Sequence, residues 1–175
     1  MRAALAALDA GEDMEDNRLR LFDLHERRLF RLARRLSSSH DDATDLVQET
    51  FVRAFSSRSP LPADERDQDA WLVTAMVNLA RDRSHRHAVG ARAAQVEAPA
   101  DPGEPEAAYV ARLAVQDALG RLGARRRAVV VLHELEGEPV ARIAAMLGVA
   151  PVTVRWHLAR ARKELGLLLG LGDET

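Results

Sequence analysis

The chain has 175 residues and no cysteine, which excludes disulfides and thiolate metal centres. Aromatic residues make up only 4%, so any core must be built from Leu, Val and Ala. No apolar run approaches the roughly 20 residues of a membrane span. Ala3 to Leu8 is mildly apolar, but Asp9 interrupts it and Glu12, Asp13, Glu15 and Asp16 follow, which does not suit a signal peptide. A cytoplasmic protein without membrane insertion is therefore expected. A net charge of -2 gives no global sign of nucleic-acid binding, so any such activity must rest on local patches. Lysine is nearly absent too: Lys163 stands alone, and every other side-chain cation apart from histidine is arginine.

Apolar residues make up 47% and charged residues 30%, and Ala, Leu, Arg and Glu, all strong helix formers, dominate. The expected fold class is all-α. Residues 1–16 read as a flexible acidic leader. From Asn17 to about Leu36, the spacing of Phe22, Leu29, Leu32, Ala33 and Leu36 is helical. A second helix is expected over 41–55, with Ser39 as its cap and Asp41 and Asp42 favourable to its N-terminal dipole. A loop with Pro60 and Pro62 precedes a third helix over 68–86. Residues 88–106, with Pro99, Pro102, Gly103 and Pro105 among Ala and acids, read as a flexible linker. Helices are expected to resume over 106–122, 124–136, 140–147 and 151–168. The chain thus reads as two small helical domains, 17–87 and 107–170, joined by a tether and followed by a short tail, 171–175.

Val140 to Leu165 has the pattern of a helix-turn-helix. Ile143, Ala144 and Leu147 give its first helix a buried side. Gly148 ends that helix by supplying a left-handed cap, Val149 plugs the turn, and Pro151 opens the next helix. At 100° per residue, Val154, Leu158, Ala161 and Leu165 share one stripe of the second helix. Trp156, Ala159, Arg160 and Lys163 occupy the opposite side, flanked by Arg155 and Arg162. Arginines there can pair bidentately with guanine edges or hold phosphates.

In the first domain, Ala43, Leu46, Val47, Phe51 and Ala54 are core candidates, whereas Asp45, Gln48, Glu49 and Val52 form a stripe of their own. The third helix should bury Trp71, Leu72, Ala75, Met76 and Leu79. It aligns Thr74, Asn78, Arg81 and His85 on another face. Asn is a poor helix former, so Asn78 in an apolar run is either an incidental surface residue or a base-reading amide. The cations at that helix end suit a phosphate backbone.

Together these segments resemble the extracytoplasmic-function (ECF) sigma family. Asp45-Leu46-Val47-Gln48-Glu49-Thr50-Phe51 is similar to its polymerase-binding helix. Trp71-Leu72 with Asn78-Leu79-Ala80-Arg81-Asp82 is similar to its promoter −10 helix. Ala118-Leu119-Gly120-Arg121-Leu122 through Arg127 and Leu132 to Glu136-Gly137 is similar to the lead-in to its second domain. Ile143-Ala144, Leu147-Gly148-Val149, Thr153-Val154 and Leu158-Ala159-Arg160-Ala161-Arg162 are similar to its −35-reading motif. The resemblance implies an alternative sigma factor that binds core RNA polymerase through the β′ and β subunits and recognises and helps open promoter DNA. It implies polymerase contacts from Asp45, Gln48, Glu49 and Val52. It also implies −10 contacts from Asn78, Arg81, Thr74 and His85, and capture of a flipped base by the loop 57–67. Contacts to the −35 element would come from Arg155, Trp156, Ala159, Arg160 and Lys163. The linker would thread toward the polymerase active-site cleft. Three positions depart from the family pattern: Arg142 stands where Glu is usual, Val152 where Gly is common, and Trp156 where a small polar residue is common. Trp156 either alters the −35 sequence read or packs on an anti-sigma factor.

No catalytic residue, metal site or cofactor is expected. His133-Glu134 begins like a zinc-protease motif, but position 137 is Gly where the second His is required. The rival is a conventional dimeric helix-turn-helix regulator, against which the Asp45–Phe51 motif and the long linker both argue.

Overall fold

The computed structural model describes residues 2–57, 61–88 and 105–171; the side chains of 2–15 and 85–88 lie outside that description. Within it the chain is all-α, as expected. The helices are α1 (Arg2–Leu36), α2 (His40–Ser56), α3 (Glu65–Ala88), α4 (Glu106–Arg121), α5 (Ala124–Val130), α6 (Val140–Leu147) and α7 (Pro151–Leu168), with a π-helical turn, Val131–Leu135, running on from α5.

Each boundary has a local cause. Leu21, His25, Leu29, Leu32, Ala33 and Leu36 fall on one buried stripe of α1. Ser39 is extended, and its Oγ accepts from the Asp42 N–H at 3.0 Å, which starts α2 as expected. Asp64 Oδ1 accepts from the N–H groups of Arg66 (2.9 Å) and Asp67 (3.3 Å), so α3 begins before the expected residue 68. The largest correction is at the N-terminus. Helix α1 starts at Arg2, so the stretch expected as a flexible leader is helical, because the good formers around Ala3–Leu8 outweigh the single Gly11.

In the first half, α1, α2 and α3 pack against one another. Leu29, Leu32, Leu46, Leu72 and Met76 are fully buried there, and Phe51 lies between Phe22 (4.9 Å between centroids) and Phe55 (5.9 Å). One expectation needs correction: Trp71 is only half-buried. Phe22 is 41% exposed although it touches Phe51.

In the second half, α7 packs on α5 and α6. The π-helical turn comes where 124–136 was expected to be a single α-helix. The Glu136 N–H reaches back to the Val131 carbonyl at 3.1 Å, one residue farther than an α-helical bond. Gly137 follows at φ 70°, and the Glu138 N–H bonds the Leu132 carbonyl at 2.9 Å. The chain therefore reverses sharply and leaves Glu136 and Glu138 on one side of the turn, both facing Arg28.

The helix-turn-helix forms over the expected residues. Gly148 sits at φ 62°, ψ 38°, and its N–H and that of Val149 satisfy the last carbonyls of α6. A Cβ added at Gly148 would meet nothing within 4 Å, so its cost is backbone strain alone. Gly148→Ala should therefore lower unfolding free energy by about 1–2 kcal/mol. Gly166→Ala, inside α7 and equally uncrowded, should raise it by up to about 1 kcal/mol. Urea midpoints of the two variants should move in opposite directions.

The two halves are not separate in space. Helix α1 packs on α4, α5 and the π-helical turn, and α3 packs on α5 and α6. Leu119 through Val154 therefore continue one buried apolar cluster with Leu29 through Leu79.

Candidate nucleic-acid interface

Helix α7 divides as its sequence demands. Val154, Leu158 and Ala161 are buried, whereas Arg155, Trp156, Ala159, Arg160 and Lys163 are exposed, Trp156 by 57%. The Arg160 guanidinium lies 6.0 Å from the Trp156 ring centre, near the outer limit of a cation–π contact. The surface thus offers one large apolar plate among cations. Arg162, which flanks that face, is tied to Glu134 at 2.6 Å, and Arg126 is tied to Glu164 at 2.6 Å. Both pairs brace α7 against the elements beneath it.

His157, next to Trp156, has its pKa lowered by burial and then by the positive charges of Arg125 and Arg126. With its folded pKa below the unfolded one, it contributes stability above the unfolded value, and that contribution is lost as pH falls toward the folded value. An NMR titration should find the His157 ring neutral at pH 7 and titrating below an exposed histidine.

The face expected on α3 is more mixed. Thr74 turns its hydroxyl onto its own helix, donating to the Ala70 carbonyl at 2.7 Å. Asn78 and Arg81 are half-buried, and Arg81 pairs with Asp82 at 3.3 Å. The His85 side chain and loop residues 58–60 lie outside the described residues, as does most of the linker. Arg81 and Asp82 border a cleft of about 760 Å³ whose other wall is Gly123 to Arg126 with Trp156 and His157. The −10 and −35 candidates thus face the same space.

On α2, Asp45 and Gln48 are exposed, as is Val52 at 61%. Glu49 is not a free acid: the Arg83 guanidinium donates to its Oε2 at 2.6 and 3.2 Å and to the Asp42 carbonyl at 3.1 Å. Glu49 therefore also pins α3 to α2, and periodicity alone could not have revealed that.

Sequence reasoning also found no partners for Arg127. It is buried, and desolvation lowers its pKa. Its Nη1 donates to the Leu36 carbonyl at 2.9 Å and its Nη2 to the Gly120 carbonyl. A cation at the C-terminal end of α1 is favoured by the helix dipole, and here it comes from the other half of the molecule. The Gln116 amide adds a second bond to that end of α1, to the Arg34 carbonyl at 3.3 Å.

Among the described residues no cluster of His, Asp and Glu could hold a metal ion, and no helix is long and apolar enough to cross a membrane. An exposed basic helix-turn-helix, joined to a three-helix unit with an acidic stripe, defines a helical protein of the DNA-binding class.

Residues 21–89 match the model of Sigma-70 region 2, and residues 112–165 match that of Sigma-70, region 4. The ECF RNA polymerase sigma factor SigM of Mycobacterium tuberculosis is 38% identical over 154 residues, which span 86% of this chain and 76% of SigM. SigL of the same species is 35% identical over 154 residues, spanning 85% of this chain and 86% of SigL. The sigma factor RpoE of Bartonella quintana, solved in complex with the anti-sigma factor NepR, superposes with a TM-score of 0.66. It is 26% identical, and the match covers 93% of this chain and 99% of RpoE. The chain belongs to the ECF RNA polymerase sigma factor family. It is an alternative sigma factor for promoter recognition and transcription initiation.

Proposed function

We propose that this chain works without catalysis of its own, in the cytoplasm, by docking on core RNA polymerase through α2 and reading promoter DNA through α3 and α7. The observation that carries the reading is the exposed α7 face, where Arg155, Trp156, Arg160 and Lys163 stand opposite the buried Val154–Leu158–Ala161 stripe. Arg155 and Arg160 have the fork geometry to read guanine edges at the −35 element, Ala159 leaves room for the groove wall, and Lys163 meets a phosphate. Trp156 adds an apolar surface that selects the bases beside it.

Asp45 and Gln48, with the apolar Val52 one turn on, present a mainly acidic stripe to a basic surface of the β′ subunit, and Glu49 completes it while holding α3 in place. Asn78 and Arg81, with Thr74 and His85 beside them, hold the opened −10 strand, and the stretch 57–67, which runs into the first turn of α3, takes a flipped base. The region 2-like half spans 17–87 and the region 4-like half 107–170, with 88–106 between them. An anti-sigma factor is a further partner, supported by the NepR complex of the Bartonella relative.

Run-off transcription tests the reading. Purified protein added to sigma-free core polymerase should yield discrete transcripts from promoters of its own genome. No transcripts, together with tight sequence-specific binding to duplex DNA by the protein alone, would replace this reading with that of a conventional regulator.

A further inference from the structure

Between the two halves lies a compact group of three arginines and three carboxylates. From the first half come Arg28 and Arg35 on α1 and Asp69 on α3; from the second come Glu136 and Glu138 at the π-helical turn and Arg142 on α6. Arg28 contacts Asp69, Glu138 (2.9 Å) and Glu136 (3.5 Å). Arg35 reaches Glu136 at 2.6 Å. Arg142 contacts Glu138 at 3.0 Å and Asp69 at 3.9 Å, and donates to the Arg66 carbonyl at 3.2 Å. The carboxylates are close to fully buried, so these charges are screened little. Burial alone would lower the Arg28 pKa, but its hydrogen bond and charge contact with Asp69, with help from Glu138 and Glu136, raise it instead.

The group divides in a particular way. Arg28–Asp69 lies wholly within the first half and Arg142–Glu138 wholly within the second. Separation would break Arg28–Glu136, Arg28–Glu138, Arg35–Glu136 and Arg142–Asp69, and each half would keep one pair intact. Buried ion pairs are costly to break when one charge is left stranded in the interior. Here Asp69 keeps Arg28 and Glu138 keeps Arg142 when the halves part, while Glu136 loses both of its partners and is left to water.

The closed arrangement also conflicts with reading a promoter. Arg81 and Trp156 border one cleft of about 760 Å³. Elements named −10 and −35 are separated by roughly 25 base pairs, about 85 Å of duplex. Two surfaces that share one cleft cannot engage both.

We propose that Arg28, Arg35 and Arg142 with Asp69, Glu136 and Glu138 form an electrostatic latch that holds the free protein closed and is released on assembly for promoter binding. Release on assembly rests on the sigma-factor reading; the latch itself does not. Arg142, the departure from the family's usual Glu, is its distinctive member. A glutamate there would face Asp69 and Glu138 with the wrong sign.

Because the chain has no cysteine, a dye pair can be placed through Asp41→Cys and Leu167→Cys, both at exposed positions in the full chain. Single-molecule energy transfer should show the otherwise unmutated pair mainly in a high-transfer state at low salt. Arg142→Glu should shift the closed-to-open ratio roughly tenfold or more toward open, since like charges brought together cost several kcal/mol. Arg35→Glu, at the more exposed end of the group, gives a second variant if the first fails to fold, as judged by helical circular dichroism. Salt near 1 M should move the unmutated pair in the same direction. Unchanged transfer in both folded variants, or a low-transfer state without mutation at low salt, would overturn the latch. Run-off transcription with core polymerase, run in parallel, separates the two ideas: transcripts with unchanged transfer sink the latch alone, and changed transfer without transcripts sinks the sigma-factor reading alone.

Discussion

Replacing Asp45 and Gln48 with alanine, and Val52 with aspartate, is expected to reduce polymerase-dependent transcription by about 100-fold or more while leaving the fold intact. All three side chains are exposed, and the neighbouring Leu46, Val47 and Phe51 remain to build the core. Each hydrogen bond to a charged group at an interface contributes about 1.5–3 kcal/mol, so losing two removes about 3–6 kcal/mol before the buried aspartate adds its own cost. Glu49 should be varied separately. Its alanine variant also loses the Arg83 pair that joins α2 to α3, so a lower melting temperature is expected alongside weaker docking. Affinity for core polymerase measured by fluorescence anisotropy, with circular dichroism as control, distinguishes the two effects. Docking unchanged in the triple variant would remove α2 from the polymerase interface.

The second large effect is expected on sequence discrimination. Arg155→Ala with Arg160→Ala should make the holoenzyme nearly blind to the −35 element, while core binding stays the same. A bidentate arginine–guanine contact contributes about 1–3 kcal/mol of discrimination, so the pair accounts for roughly 30-fold at the least. Lys163→Ala should behave differently, weakening all promoters alike and reducing the salt slope by about one counterion. Promoters with intact and scrambled −35 sequences, transcribed in competition, report the ratio directly. A double variant that still prefers the intact sequence would move the reading surface off α7.

What was legible in the sequence was local. The Ser39 cap, the Gly148 turn with Pro151 after it, and the buried stripe of α7 each depend on neighbours within a turn or two, so spacing alone reveals them. What was missed is long-range. Arg127 meets Leu36, Arg142 meets Asp69, and Arg28 meets Glu136 across the linker, and no periodicity records a partner that far along the chain. Arg142 was visible only as a departure from a family pattern; its carboxylate neighbours explain the change of sign. The π-helical turn was hidden for another reason. A run of Val129, Val130 and Val131 fits an α-helix residue by residue, and only the later reversal at Gly137 demands the extra residue.

Lys163 stands exposed on α7, and it is the only lysine in the chain. Every acyl transfer or isopeptide attachment that targets the lysine side chain of this chain is therefore confined to the face proposed to read DNA. Acetylation would remove its one ammonium charge from that face. A bulky carrier would block the groove outright. On that proposal, marking this lysine and silencing the −35 contacts would be the same event.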